Sequence, residues 1–257
     1  MANNKVELLD TMGDDLKVVN MARVSFAKES SWVYKETGRK LDAAGSMDYD
    51  TVRTLGHNDI SLIKFLARGV SDKEYKKRLS GPMNKELYSE IANTSRHEMP
   101  FAHCAATFRI EAPIFVARQL AKHQVGMVWS EVSRRYVDTT PTWDMLSFRG
   151  RAPNKKQGSG NEIHSNALDL AYESYMSWSL SIYEAMLKVG VCPEQARAAL
   201  PQGVNTQWVW TGSLLAWSRV HRLRTSKEAQ QETRDIVQEI GTFMGEKFPV
   251  SWQALTE

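Results

Sequence analysis

Between residues 105 and 126 the chain has few ways to fold. Thr107, Phe108, Arg109, Ile110 and Glu111 alternate in character, the period of a half-buried strand, and Pro113 follows with φ already set for the first turn of a helix. The segment 114–124 therefore reads as a helix, and Gly126 as the sharp change of direction that follows it. The wider stretch 97–136 is then a loop, a strand, a helix and a return segment. At helical spacing Gln119 and His123 share a face, as do Arg118 and Lys122, so the helix ends by presenting an amide, an ammonium and an imidazole together. Ser130, Glu131, Ser133, Arg134 and Arg135 come next. Hydroxyls, backbone N–H groups and a guanidinium this close make a phosphate cradle, with Glu131 left to orient a donor.

A length of 257 residues holds one large domain or two small ones, and folding would bury roughly 70–75% of the unfolded chain's surface. The 33 basic and 30 acidic residues leave a net charge of +3, so no field dominates the surface and obligate nucleic-acid or membrane binding is not indicated. Anion binding must come from local clusters. Cys104 and Cys192 give neither a disulfide framework nor metal-ligand spacing, which fits a reducing compartment. With no long apolar run and no leader-like N-terminus, the expectation is a soluble cytoplasmic protein without a metal. Eight tryptophans and eight tyrosines leave aromatic side chains for packing, a subunit interface or a pocket.

Along the chain, Asp14 and Asp15 precede a short helix that reaches Val24. Residues 28–56 lack a period and read as loop with at most one helical turn. Asn58 and Asp59 cap an apolar helix that Gly69 closes, Gly81 and Pro82 punctuate, and a further helix covers 84–93. The Pro- and Gly-rich stretch 141–165 reads as an exposed excursion. A long amphipathic helix follows over 163–189, ended by Gly190, and Pro193 opens a short helix that stops before Pro201. Residues 206–211, TQWVWT, are a strand by composition, Gly212 leads into a helix through Arg224, and a last helix covers 226–247. Together these make a single α/β domain over residues 1–257.

Read alone, Arg135, Arg197, Arg219, Arg222 and Arg224 are solvated surface charges, although Arg197 stands in an otherwise apolar segment. His97 and His103 fit a core role as well as a binding one. No pairing with Asp or Cys at catalytic or metal spacing points to a hydrolase or a zinc enzyme.

Longer strings add to this. The run H-E-x-P-F-x-H from His97, then T-F-x-I-x-x-P-I-F-V-A-R-Q ending at Gln119, then a basic-His pair, then E-x-S-x-R-Y ending at Tyr136, resembles the core of the flavin-dependent thymidylate synthases. That family's signature is R-H-R, seven residues, then Ser. Here the triplet is Lys122-His123-Gln124, and eight residues separate it from Ser133, so both arginines are replaced and one residue is inserted. The likeness extends from Ala22 to about Glu232. It implies a central, mostly antiparallel sheet flanked by helices, and a homotetramer with active sites between subunits.

The implied reaction is reductive methylation of dUMP to dTMP, with 5,10-methylenetetrahydrofolate as carbon donor and FAD reduced by NADPH as hydride source. By the same likeness Gln119, Leu120, Ala121 and Lys122, with Glu131, Val132, Ser133, Arg134 and Arg135, contact dUMP. Arg197, in A-R-x-x-L-P, reaches its phosphate. Arg224, in L-R-(x)4-A-Q, contacts the uracil and is the implied catalytic group, stabilising charge as N3 or O4 becomes anionic. The FAD contacts are Ser25, His97, Met99, Lys122, His123, Gln124, Glu131, Ser213, Leu214, Leu215 and Arg219. Here the chain departs again, with Ser213 and Arg219 where the family usually has Asn, Met99 where it commonly has Thr, and Ala102 where it has an acid. Ser25 reads equally as the cap of a helix end, and the loop 155–159 as solvated charge or substrate contact. Two other readings stand beside the synthase: a non-catalytic nucleotide- or RNA-binding protein on the same scaffold, motivated by the altered triplet and the basic helix around Arg219–Arg224, and a flavin oxidase that has lost methyl transfer.

Overall fold

The computed structural model describes residues 5–41, 47–81, 84–153 and 158–257. They sort into two compact units, each assembled from three chain segments. The first holds Met1–Asp10, Ala106–Gly212 and Arg219–Phe243, and the second Thr11–Ala105, Ser213–Ser218 and Met244–Glu257.

In chain order the elements are β1 (Lys5–Met12), α1 (Asp15–Arg23), β2 (Val33–Leu41), β3 (Met47–Thr54), α2 (His57–Arg68), α3 (Asp72–Leu79), α4 (Lys85–Asn93), β4 (Ala105–Pro113), α5 (Ile114–Leu120) and β5 (Met127–Glu131). Then come β6 (Arg149–Arg151), β7 (Ser159–Glu162), α6 (Asn166–Lys188), α7 (Pro193–Ala196), β8 (Asn205–Ser213), α8 (Leu214–Arg224), α9 (Gln231–Lys247) and α10 (Pro249–Thr256). The fold is mixed α/β around a central antiparallel sheet flanked by helices, as the sequence led us to expect.

That sheet has strand order β1-β4-β8-β5, with β5 antiparallel to β8 and Trp129 opposite Trp210. Alternation decides its faces. Ala106, Phe108, Ile110 and Ala112 of β4 are buried, and so are Thr206, Trp208 and Trp210 of β8. Each buried Phe or Ile contributes roughly 1.5–3 kcal/mol. Val116, Leu120, Ile236 and Ile240 complete this core.

The step from β4 into α5 follows from Pro113. It sits at the N-cap with φ −57 and ψ 145, one position earlier than expected. The first free helix amides then turn to main-chain acceptors: Ile114 N donates to Val204 O at 3.0 Å and Phe115 N to Gln202 O at 3.2 Å. The helix also stops at Leu120, four residues before the expected end. Gly126, at φ 73, and the bond from Met127 N to Gln124 O at 3.2 Å turn the chain back so that β5 can pair with β8.

In the second unit α1 packs on α2, α10 packs on α2, and α1 meets the short 3-10 turn Met99–His103. Asp14 caps α1 as expected, accepting from Lys17 N at 2.9 Å. The α2 cap is Gly56 rather than Asn58 or Asp59. Asp59 is instead buried and bonded to Arg23 and to Ser30 Oγ, the latter at 2.9 Å. Buried Asp15 accepts from Val250 N at 2.8 Å and Ser251 N at 3.0 Å, satisfying the first amides of α10. Gly69 closes α2 as expected, at φ 73, and donates to Phe65 O at 2.7 Å.

Several elements depart from the sequence reading. Residues 28–56 contain the antiparallel β2–β3 pair, and the excursion 141–165 contains the short β6–β7 pair. β1, α3 and α10 had no counterpart in that reading, and α9 starts at Gln231 rather than 226. Lys155, Lys156 and Gln157, expected to be solvated or at the substrate, lie outside the described residues, as does Pro82.

Two predictions follow from this packing. A Cβ on Gly69 would stand 2.1 Å from Ser95 O in a left-handed conformation, so Gly69→Ala is expected to cost about 2 kcal/mol or more, seen as a lower urea midpoint at unchanged slope. Burial pushes the Cys104 thiol up to about 11, whereas Cys192 is exposed. Iodoacetamide near neutral pH should therefore alkylate Cys192 and spare Cys104 in the native protein, and label both after denaturation, as peptide mass mapping would show.

Candidate functional site

The first unit contains a cleft of about 920 Å³. One wall is α5, through Ile114, Ala117 and Arg118, with Ala121 just beyond it. A second is Glu131, Val132, Ser133 and Arg134 at the end of β5. The third is the segment from Glu194 to Thr206, which includes Arg197, Gln202 and Asn205. The two amide bonds from α5 to the carbonyls of Gln202 and Val204 hold the first wall against the third.

Three cations face this space. Arg118 makes no hydrogen bond or ion pair among the described residues. Arg134 donates to Thr139 O, and Arg197 Nε donates to Glu194 O at 3.1 Å. The backbone N–H groups of Ser133 and Arg134 likewise have no acceptor among the described residues. Two free amides and three guanidiniums on one concave surface make an anion site. Glu131 is held at its edge, accepting from Thr206 Oγ1 at 2.8 Å and Trp129 Nε1 at 3.2 Å. Glu194 also lines the cleft and accepts from Arg135 Nε at 3.0 Å, a pair about half exposed on both sides.

A separate arrangement lies on the turn after α5. Arg224, at the end of α8, donates from Nε to His123 Nε2 at 2.8 Å and from Nη2 to Gln119 O at 3.2 Å. The imidazole sits 6.5 Å from the Trp210 ring centroid. Burial first, and the guanidinium second, hold His123 below its ordinary pKa, so near pH 7 it is neutral and an acceptor. The Gln119 side chain points the other way, bonded to Gln230 and accepting from Thr233 Oγ1 at 3.4 Å.

The second unit has its own cavity, of about 400 Å³, lined by Ala22, Arg23, Phe26, Lys28, Asn58, Leu62 and Phe65. Phe26 is 74% exposed. Phe65 stacks on His97 at 5.6 Å between centroids and 23° between planes. Exposed aromatic faces beside a lysine suit a planar ring that carries phosphate.

The profile of the family described as "Thymidylate synthase complementing protein" matches residues 7–250. The chain belongs to that family. Curated relatives include the flavin-dependent thymidylate synthases of Thermus thermophilus, 30% identical over 254 residues that cover 98% of this chain and 75% of the relative, and of Thermosipho africanus, 33% identical over 163 residues covering 62% and 71%. Among solved structures, a UMP/dUMP methylase, PolB, from Streptomyces cacaoi bound with 5-Br dUMP superposes with a TM-score of 0.72 at 23% identity, covering 100% of this chain and 96% of that one, which shows a shared fold.

Of the residues that the thymidylate synthase likeness assigns to the nucleotide, Ala121, Glu131, Val132, Ser133, Arg134 and Arg197 line the cleft. Arg135 reaches it through Glu194. Lys122 is exposed, Leu120 is fully buried in the core, and Gln119 offers its carbonyl to Arg224 while its amide faces α9. Arg224 is not part of the cleft lining and belongs to the turn.

Of the flavin set, Ser25, His97, Met99, Lys122 and Gln124 are exposed, Met99 at 70%. Leu214 and Leu215 are buried, and Ser213 Oγ accepts from Ala216 N at 3.1 Å. Arg219 is partly exposed and already has an interaction partner. By chemistry the cluster around Phe26, Lys28, Phe65 and His97, all within the second unit, fits a flavin. Among the described residues no group of His, Cys, Asp and Glu could hold a metal.

Sequence reasoning did not assign Arg118, Glu194, Gln202, Asn205 or Thr206 to the site. Arg118 adjoins Gln119 and lies three residues before Ala121, and Gln202 follows the A-R-x-x-L-P string directly, so adjacency was the available signal.

Glu194 occupies Arg135 and adds a negative charge to the cleft. An exposed pair of this kind is worth about 0–1 kcal/mol, so Glu194→Ala should bind inorganic phosphate up to about fivefold more tightly, with the gain shrinking as salt is added; calorimetric titration at low and high ionic strength checks both.

Proposed function

We propose that this protein is a flavin-dependent thymidylate synthase that converts dUMP to dTMP. The observation that carries the reading is the cleft itself, which Ser133 and Arg134, with their free amides, line together with Arg118 and Arg197. Two facts support it. The curated relatives bear that name, the Thermus thermophilus one over 98% of this chain, and the structurally similar PolB is a UMP/dUMP methylase bound with a dUMP analogue.

In this reading one carbon passes from 5,10-methylenetetrahydrofolate to C5 of dUMP, the folate leaves as tetrahydrofolate, and NADPH plus a proton leaves as NADP+. A bound FAD would supply the two-electron redox chemistry that links NADPH oxidation to reduction of the transferred carbon. The chain's own residues bind and orient. Lys122, Arg134, Arg135 and Arg197 neutralise the phosphate and Ser133 donates hydrogen bonds to it, with Glu131 fixing the register of that loop through Thr206. The guanidinium of Arg224 stabilises negative charge on the uracil as C5 becomes nucleophilic. The exposed Phe26, His97 and Lys28 supply stacking and charge for the flavin, with Ser25 and Met99 beside them in sequence. The chain acts as a single domain of a homotetramer in which neighbouring subunits complete each site. A soluble, cytoplasmic setting agrees with the finding that no described helix is long and apolar enough to cross a membrane.

The test is direct. Purified protein should show the absorbance bands of oxidised flavin and form dTMP from dUMP, folate donor and NADPH, and Arg224→Ala should lower the rate by about 10²–10³-fold. Colourless protein that makes no dTMP and binds RNA with a steep salt dependence would overturn the proposal in favour of a nucleic-acid-binding role.

A further inference from the structure

The bond between Arg224 and His123 gives the imidazole a task of its own. We propose that His123 is a positioning residue for Arg224: as a neutral acceptor it fixes the guanidinium that meets the pyrimidine, and its protonation releases that guanidinium and weakens nucleotide binding. This inference rests on the reading of Arg224 as the uracil-binding group.

Three observations carry it. First, Arg224 is held by two acceptors from one turn, His123 Nε2 at 2.8 Å and Gln119 O at 3.2 Å, and by no other bond among the described residues. Nε and one edge of Nη2 are thereby committed, and the Nη1 edge remains to donate to a ligand. Second, the carbonyl of Gln119 cannot titrate, whereas the imidazole can, so one of the two restraints depends on pH. Third, the turn is rigid where it matters. Gln119 is tied to Thr233 of α9 and to Gln230 just before it, His123 N donates to Leu120 O at 3.0 Å, and Gly126 closes the turn.

The surroundings set the direction. Among the described residues the charged group set against the imidazole is Arg224 on α8, while β8 presents the neutral Trp210 indole, and neutral Gln230, just before α9, and Thr233 on it reach the turn through Gln119. Above its lowered pKa, His123 accepts from Arg224. Below it, Nε2 carries a proton facing an N–H donor, two positive groups oppose one another, and the bond is lost. A hydrogen bond to a charged group is worth roughly tenfold in an equilibrium constant, which sets the expected effect.

The experiment is calorimetric titration of the purified protein with dUMP from pH 8 down to pH 5, on wild type, His123→Gln and His123→Leu. The dUMP phosphate itself titrates near pH 6, and His123→Gln, which meets the same phosphate but cannot take up a proton, is the reference. Wild type should lose about tenfold more affinity than His123→Gln over this range, and at pH 8 the glutamine variant, which keeps an acceptor, should bind more tightly than the leucine variant. Parallel pH curves for wild type and His123→Gln overturn the proposal. Equal affinities of the glutamine and leucine variants at pH 8, with unchanged thermal midpoints, overturn it too. Wild-type protein that binds no dUMP at any pH would instead remove the uracil-binding reading of Arg224 on which this inference stands.

Discussion

Two main-chain hydrogen bonds, from Ile114 and Phe115 to the carbonyls of Val204 and Gln202, are the constraint from which the cleft follows. They exist because the first amides of a helix have no partner within it, and Pro113, at the N-cap of α5, offers no side chain to accept from them. The segment after Pro201 supplies the acceptors. Once α5 is seated there, Arg118 and Ala121 face Arg197 and Thr206, and the sharp turn at Gly126 returns β5 to the edge of β8 with Ser133 and Arg134 just beyond it. The anion site is the space left between three chain segments that backbone bonding brings together.

This explains why the altered triplet is compatible with the family fold. Lys122 keeps a cation at the exposed end of the turn, and His123 remains where it can meet Arg224. The inserted residue falls between Gln124 and Ser133, and the β5–β8 register still sets Trp129 against Trp210 and Glu131 against Trp208. The sheet therefore keeps Glu131 and its successors at the rim of the cleft. Gln119 acts through its backbone carbonyl while its amide serves the packing of α9.

Legibility in the sequence followed the range of the forces involved. β4, α1, α4, α6 and β8 were readable because alternation, caps and helix-ending glycines are local signals. The β2–β3 pair was not, since Val33, Tyr34 and Val52 stand exposed among polar residues and give no burial period to detect. The end of α5 was misjudged because Gln119 and His123 are at helical spacing while the demand that ends the helix comes from β8. Of the residues that line the cleft, Ser133 and Arg134 were legible from their local run of hydroxyls and cations, and Arg197 from a short string of the family. Arg118, Asn205 and Thr206 escaped because what makes them part of the cleft is pairing across the chain. The Arg224–His123 bond was likewise invisible, for both side chains were assigned to ligands and neither to the other.

The aromatic side chains of the sheet have a consequence for how the molecule reports on itself. Trp129 stacks on Trp208 at 4.7 Å and meets Trp210 edge-on at 5.4 Å, and its indole N–H reaches the same Glu131 that Thr206 holds at the cleft rim. Any molecule that pulls on that carboxylate changes the polarity felt by an indole already in electronic contact with two others. The emission spectrum of the native protein is thus a built-in gauge of what occupies the neighbouring space, with no label attached.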